Sequence, residues 1–174
     1  MAEARARRLF LALWPNSEER QRIAALTRSL EGGRKVIAEN LHLTLVFLGA
    51  SDSERLRCYE SALQGLRVPF MELRLDRLGY WPKPRILWLG SGQATPVLAE
   101  LVGILNQRLS RCGHKPENRP FTPHVTLIRK HPGSLSNVDV SPPIHWSTRR
   151  FALVESRTDN TGTYYQVVSY WPED

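Results

Sequence analysis

The sequence predicts a protein of mixed α and β structure, built from two similar lobes that pack together. The tetrapeptide His42-Leu43-Thr44-Leu45 has a near copy at His124-Val125-Thr126-Leu127. Each half of the chain has the pattern of a strand, a helix and a second strand, and each tetrapeptide begins the second strand. No Ser- and Gly-rich tract separates the halves, so we expect one bilobal domain over residues 1–174.

Composition and charge limit the class of protein. The chain has 174 residues, of which 41% are hydrophobic and 24% charged, as in a soluble globular protein and not a disordered one. The formal net charge is +7, and the sequence pI is about 9.9. Such a charge favours solubility and an anionic partner such as nucleic acid about equally.

The cysteines and the start of the chain bear on location. Cys58 and Cys112 form no Cys-x-x-Cys pair, so we expect free thiols in a reducing compartment and no disulfide. The apolar run that ends at Trp14 is too short for a signal peptide. No run approaches the roughly 18 apolar residues of a membrane span. We therefore expect a cytoplasmic protein without membrane contact.

The first half of the chain begins with a short buried strand over Leu9–Trp14. Ser17 is a suitable N-cap for a helix, and Gly32-Gly33 ends that helix. A short strand is expected at Lys35–Ile37. The strand of the first motif follows and ends at Gly49.

The middle of the chain continues the alternation. Asp52 or Ser53 caps a second helix, and residues 68–78 alternate as a strand does. The segment Gly79–Pro84 has the composition of a turn, and Arg85–Gly90 predicts another strand.

The last third contains a long helix and the closing strands. The helix can start at Thr95-Pro96, because proline is tolerated in a first helical turn. It ends at Cys112-Gly113. The Pro-rich segment 132–143 predicts an exposed loop. Two strands, at about 145–156 and 163–171, should form a hairpin. The expected buried face of the helix is Leu98, Leu101, Val102, Leu105 and Leu109.

Strand geometry separates the two kinds of residue in each motif. Side chains at i and i+2 share a face, so His42 and Thr44 should point one way while Leu43, Leu45 and Phe47 point against the helices. The same parity puts His124 and Thr126 on one face, with Val125 and Leu127 on the other. Each motif therefore has the pattern of a strand that lines a cleft.

Two imidazoles and two hydroxyls suit in-line displacement at phosphorus. Histidine titrates near pH 6.5, so one ring can act as general base while the other acts as general acid. Threonine hydroxyls can donate to the non-bridging phosphate oxygens. This chemistry requires no metal and no cofactor, and the sequence has no His-Glu-x-x-His, Asp-x-Asp or phosphate-binding glycine loop.

Other interpretations of the histidines stay open. A lone histidine in a strand is usually structural, and a structural or purely binding role for both motifs is the main alternative to catalysis. His114 and His145 have the context of surface or strand-end residues. His131 follows two basic residues and is expected in a solvated turn.

The paired motifs and their flanking strands resemble a known family. RLFLALW, NLHLTLVFLG, RILWLG and NRPFTPHVTLIRK are similar to segments of the two-histidine phosphoesterase superfamily, in particular the LigT/ThpR type of RNA 2′,3′-cyclic phosphodiesterase. The resemblance implies a bilobal α+β fold. Two pseudo-symmetric antiparallel sheets would line a central groove, with helices on the outer faces.

The resemblance also implies an activity and roles for individual residues. The reaction opens an RNA 2′,3′-cyclic phosphate to a 2′-phosphate, and some relatives join tRNA halves through a 2′-5′ linkage. His42 would be the proton donor and His124 the proton acceptor. A basic residue after the second motif, as a phosphate contact, matches Arg129. Strand parity puts Arg129 on the opposite face, so either the strand ends or bulges before it, or Arg129 is structural.

The expected partner is RNA with cyclic phosphate ends, with tRNA fragments as one source, and we expect a monomer. Arg119 and the Tyr80-Trp81 pair are candidate contacts for the RNA backbone and a stacked base. Two alternatives remain. One is a protein that binds RNA ends without turnover, and the other is a phosphodiesterase of small cyclic nucleotides.

Overall fold

A computed structural model describes residues 5–133 and 138–173. Within these ranges the chain forms three α-helices and nine strands. In chain order they are β1 (Arg7–Leu13), α1 (Ser17–Ser29), β2 (Arg34–Lys35), β3 (Leu43–Ser51), α2 (Ser53–Leu63), β4 (Met71–Trp81), β5 (Ile86–Gly90), α3 (Pro96–Leu109), β6 (Val125–Arg129), β7 (Val138–Thr148), β8 (Phe151–Asp159) and β9 (Gly162–Trp171).

All strand pairs are antiparallel, and the strand order is β7-β4-β5-β6-β3-β1-β8-β9, with β2 paired to β6. The order divides into two four-stranded halves. The halves join where Leu43 of β3 pairs with Val125 of β6. The predicted α+β fold of two antiparallel halves is confirmed, and the two halves meet edge to edge as one continuous sheet.

Local signals explain where the helices begin. At α1 the cap is Asn16, one residue before the predicted cap, because Asn16 and Glu19 form a reciprocal capping box. Asp52 caps α2 by accepting from the backbone N–H of Arg55. Helix α3 buries the five apolar residues that its spacing predicted. None of the described helices is long and apolar enough to span a bilayer.

Strand β4 runs through part of the predicted turn, which is a correction. It extends to Trp81 and pairs with β5 as far as Ile86. Gly79 makes this possible, because a Cβ there would lie 2.1 Å from Cζ2 of Trp88 on the neighbouring strand. The turn itself is confined to residues 82–85.

The end of the chain differs from the prediction in two places. The predicted loop 132–143 contains the start of β7 at Val138, although residues 134–137 lie outside the described residues. The predicted strand 145–156 belongs to two strands, because the strand conformation is interrupted at Arg149-Arg150. Strand β7 pairs with β4, whereas β8 pairs with β1. Side-chain alternation could not reveal the change of partner.

The prediction of free thiols was wrong. Cys58 of α2 and Cys112, just after α3, form a disulfide with a Cα–Cα distance of 5.8 Å. The two residues are 54 positions apart, and only the packing of α2 against α3 brings them together. No local motif in the sequence carries that information.

Candidate active site

The pairing of Leu43 with Val125 puts the two His-x-Thr motifs side by side. Because the strands run antiparallel, the same register places Thr44 beside His124 and His42 beside Thr126. Each histidine immediately precedes its strand. The partly buried threonines face the groove, while Leu43 and Val125 are fully buried.

Both histidines are held by the same backbone contact. The Nδ1–H of His42 donates to the carbonyl oxygen of Asn40 at 2.6 Å, and that of His124 donates to the carbonyl of Thr122 at 2.8 Å. A carbonyl only accepts, so the proton of each neutral ring lies on Nδ1. Each Nε2 then carries a lone pair. The Nε2 of His42 accepts from the hydroxyl of Thr44 at 3.0 Å.

Aromatic rings surround His42. Its ring centroid lies 4.8 Å from that of Phe10, 5.0 Å from that of Tyr165 and 5.9 Å from that of Trp14. The pKa of His42 is lowered to about 4, mainly by burial among these rings. The charges of Arg129, His124 and Arg20 contribute in the same direction, and the hydrogen bond to the Asn40 carbonyl opposes them. His42 is therefore neutral at pH 7 in the free protein. No local pattern in the sequence predicts these neighbours, since Phe10 lies in β1, Trp14 directly follows β1 and Tyr165 lies in β9.

His124 has a smaller aromatic environment. The ring of Trp81 meets it edge to face at 4.5 Å, and that of Trp88 lies 6.3 Å away. Burial lowers the pKa of His124 below its ordinary value, and the charges of Arg119 and Arg129 act in the same direction. The carbonyl of Thr122 opposes them.

Arg129 reaches the groove because β6 bulges. Trp88 pairs with Thr126 and Leu87 pairs with Ile128, which leaves Leu127 as an extra residue. The alternation of side chains shifts by one residue there. Leu127 and Ile128 are therefore both buried, and Arg129 lies on the groove face with Thr126. Of the possibilities left open for Arg129, a bulge in the strand is the one observed.

A similar bulge in β3 overturns the prediction for Phe47. Ala12 pairs with Thr44 and Leu11 pairs with Val46, so Leu45 is an extra residue in β3. Phe47 therefore points into the groove, and 57% of it is exposed. It does not pack against the helices.

A cavity of about 540 Å³ collects most of the predicted site residues. Thr44, Thr126, His124, Arg129 and Arg119 all line it, and His42 reaches its edge through the bond to Thr44. The Nε–H of Arg119 donates to Glu117 at 3.0 Å, and the Arg119 side chain is 78% exposed. Trp81 also lines the cavity, whereas the Tyr80 hydroxyl donates to the His131 carbonyl.

The remaining histidines have other surroundings. His131 is only 3% exposed, and its ring bonds to the Glu31 carbonyl and the Gly133 N–H, so the prediction of a solvated turn was wrong. His145 is exposed on β7. His114 lines the cavity and donates to Oδ1 of Asn106 at 3.1 Å.

Comparison with known proteins agrees with this geometry. The family model described as LigT like phosphoesterase matches residues 13–88 and 89–165. The chain is 35% identical to the RNA 2′,3′-cyclic phosphodiesterase of Escherichia coli K12, over 94% of this chain and 95% of that protein. It is 30% identical to the Thermotoga maritima protein of the same name, over 92% of each.

Solved structures give the same result. The apo crystal structure of E. coli LigT superposes with a TM-score of 0.88 at 31% identity, covering 96% of this chain and 97% of that one. The structure of E. coli LigT complexed with 3′-AMP has a TM-score of 0.87 at 32% identity, covering 95% and 97%. The chain therefore belongs to the LigT like phosphoesterase family.

Proposed function

We propose that this protein is a metal-independent RNA 2′,3′-cyclic phosphodiesterase that opens the terminal cyclic phosphate to a 2′-phosphate. The observation that carries the proposal is the matched pair of imidazoles, each with its Nδ1–H on a backbone carbonyl and a lone pair on Nε2. The Nε2 of His42 accepts from Thr44, which lines the groove, and His124 lines the groove itself. The activity named for relatives that cover most of the chain supports the same reaction.

The proposed step is an in-line attack of water on phosphorus. His124 takes the proton of the water through Nε2 as the new P–O bond forms. The bond from phosphorus to the 3′ oxygen breaks, and His42 gives that oxygen a proton from Nε2. The products are a 3′-hydroxyl and a 2′-phosphomonoester. A 5′-hydroxyl of a second RNA in place of water would give the 2′-5′ linkage.

The charge of the substrate has a part in this step. His42 must carry a second proton before it can donate one, yet its pKa in the free protein is about 4. A phosphodiester anion beside the ring favours the charged form and raises that pKa. Hydrogen bonds from Thr44 and Thr126, with the guanidinium of Arg129, would hold the non-bridging oxygens in the transition state. Arg119 would contact the RNA backbone from the exposed rim.

We propose RNA fragments with cyclic phosphate ends, such as those from tRNA cleavage, as the substrate class. The basic net charge of +7 supports an anionic substrate of this kind. We further propose a monomer that acts in the cytoplasm, where such fragments arise. The Cys58–Cys112 disulfide removes the argument for a reducing compartment that the thiols had supplied, so the substrate class alone supports this location.

The test is hydrolysis of an oligoribonucleotide with a 2′,3′-cyclic end in the presence of EDTA. We expect a 2′-phosphate product, with His42→Ala and His124→Ala each lowering kcat by about 10²- to 10⁴-fold, because each removes one proton transfer. His145→Ala is the matched control, since that histidine is exposed on β7. Unchanged rates for both active-site variants would refute the mechanism.

The same assay separates the two alternatives. RNA that binds tightly but keeps its cyclic end for hours would identify an end-binding protein without turnover. Preferred cleavage of cyclic mononucleotides in competition with oligonucleotides would identify a phosphodiesterase of small cyclic nucleotides. Either outcome would replace the proposed function.

A further inference from the structure

Five exposed basic residues gather where β2, the turn at residues 82–85 and the end of β6 meet. None of them makes an ion pair with a carboxylate in the part of the chain that the structure describes. We call this cluster the cationic edge. Its members are Arg34, Lys83, Arg85, Arg129 and Lys130.

Backbone pairing brings the three segments of the cationic edge together and joins them to the site. Arg34 of β2 pairs with Arg129 of β6. The backbone N–H of His131 donates to the carbonyl of Arg85 at 3.0 Å, so the end of β6 lies against the turn. Lys83 and Arg129 also line the cavity that contains the two threonines of the motifs. The cationic edge is therefore continuous with the candidate active site.

The pairing of Arg34 with Arg129 is unfavourable by itself. Residues directly opposite in an antiparallel pair share a face, with Cβ atoms about 4.5–5.5 Å apart, and like charges at such positions repel each other. Arg119 at the rim of the cavity has Glu117 as a partner at 3.0 Å. Neither arginine of the β2–β6 pair has such a partner among the described residues, and Glu31 in the loop before β2 does not supply one. An anion bound between the two guanidinium groups would remove the repulsion.

We propose that the cationic edge binds the backbone phosphates of the RNA on the 5′ side of the terminal nucleotide. The inference rests on the proposed function and gives the RNA a direction across the protein. The cyclic phosphate lies at Arg129 in the groove, and the next phosphate toward the 5′ end lies at Arg34, outside the groove. Contacts to phosphates carry no base sequence, so this surface favours long RNA over short RNA without selecting among sequences.

The test measures the hydrolysis of a cyclic-ended oligonucleotide by Arg34→Gln at several salt concentrations. The variant is expected to raise KM about three- to tenfold with kcat retained, because one charged contact to a phosphate is lost. The slope of log KM against log salt should fall by about 0.7, the share of one phosphate on a single strand. Arg34→Lys keeps the charge and should keep most of the low KM.

A 2′,3′-cyclic mononucleotide separates the cationic edge from the reaction centre. It has no backbone phosphate besides the cyclic one, so it cannot reach Arg34 while it occupies the site. Measured as a competitor of the oligonucleotide, it should have the same inhibition constant with the wild type and with Arg34→Gln. This equality also shows that the variant is folded.

Lys35→Gln is the matched control, because Lys35 is the neighbouring exposed cation of β2 and reaches the other side of the strand. It pairs with the buried Ile128, and its Nζ donates to the carbonyl of Arg28 in α1 at 3.1 Å. Its substitution removes the same charge from the protein. The KM and the salt slope of Lys35→Gln should therefore equal those of the wild type.

The outcomes distinguish this inference from the proposed function. An unchanged KM for Arg34→Gln on the oligonucleotide, or an equal rise for Lys35→Gln, overturns the inference while the wild-type activity stands. A weaker inhibition of Arg34→Gln by the mononucleotide also overturns it, because Arg34 would then act at the reacting phosphate. A wild-type protein that leaves the cyclic end of the oligonucleotide intact would instead refute the proposed function.

Discussion

At the scale of single residues, the state of His42 is set by its surroundings more than by its motif. Three aromatic rings take it out of water, and one backbone carbonyl fixes its tautomer. The protein therefore holds a neutral imidazole where the proposed reaction needs a proton donor. In the proposed reaction, the substrate anion would supply the missing stabilisation of the charged ring.

The lowered pKa of His42 predicts a pH dependence of stability. The unfolded chain binds a proton at His42 near pH 6.5, but the folded chain does so only near pH 4. The contribution is therefore fully present above pH 6.5 and is lost as pH falls toward 4, up to about 3 kcal/mol. Urea unfolding between pH 7.5 and 4.5 should show this loss in the wild type and a shallower one in His42→Asn, whose amide can still donate to the Asn40 carbonyl. Equal slopes in the two proteins would contradict the prediction.

The predictions made at the motifs and those made beyond them had different outcomes. His42, Thr44, His124 and Thr126 were identified from spacing and strand parity, and the fold brings all four to one groove, although their catalytic roles stay predictions. Phe47 was assigned to the wrong face, because parity holds only while a strand pairs regularly. A bulge depends on the neighbouring strand, which the local sequence does not specify.

At the scale of secondary structure elements, β4 and β5 form the support for His124. Trp88 of β5 fills the space over Gly79 of β4, and the Trp81 ring lies 5.2 Å from the Trp88 ring. Trp81 in turn contacts His124 edge to face. A glycine that looked like part of a turn is thus a packing site within a strand.

Gly79→Ala should disturb this support. Its Cβ would lie 2.1 Å from the ring of Trp88, so the ring or the strand must move. We expect a loss of about 1–3 kcal/mol in the free energy of unfolding, together with a lower kcat as His124 loses its position. Urea unfolding and steady-state kinetics measure both.

Gly103→Ala is the control for that substitution. Gly103 lies within α3, and a Cβ there would meet nothing within 4 Å. It should therefore stabilise the protein by up to about 1 kcal/mol, because alanine favours the helix, and leave kcat unchanged. A Gly79→Ala protein with wild-type stability and kcat would show that the Trp88 ring adjusts freely.

At the scale of the whole molecule, the Cys58–Cys112 disulfide ties α2 to the end of α3. The loop that follows Cys112 carries Arg119 and Thr122 to the cavity, so the bond anchors the start of one wall of the site. The pairing of the two cysteines could not be predicted, and neither could the change of pairing partner at Arg149-Arg150, from β4 for β7 to β1 for β8. Both depend on contacts between distant segments.

Loss of this disulfide should reduce stability. Cys58→Ser is expected to lower the free energy of unfolding by about 2–4 kcal/mol without reductant, since the bond closes a long loop in the unfolded chain. Dithiothreitol should lower the stability of the wild type to a similar extent and leave Cys58→Ser unaffected. Thiol titration of the unfolded wild type should find no free thiol before reduction. Two titratable thiols at that stage would refute the bond.

The strand order also sets the sequence of events during synthesis. Strands β4 to β7 form a continuous segment, so their half of the sheet can leave the ribosome complete. The other half needs β1 and β3 from the beginning of the chain and β8 and β9 from its end. Until Tyr165 has been translated, His42 lacks one of the rings that exclude water from it. A nascent chain would thus complete one half of its sheet before its reaction centre, and the proposed cleavage of RNA would begin only with a nearly full-length protein.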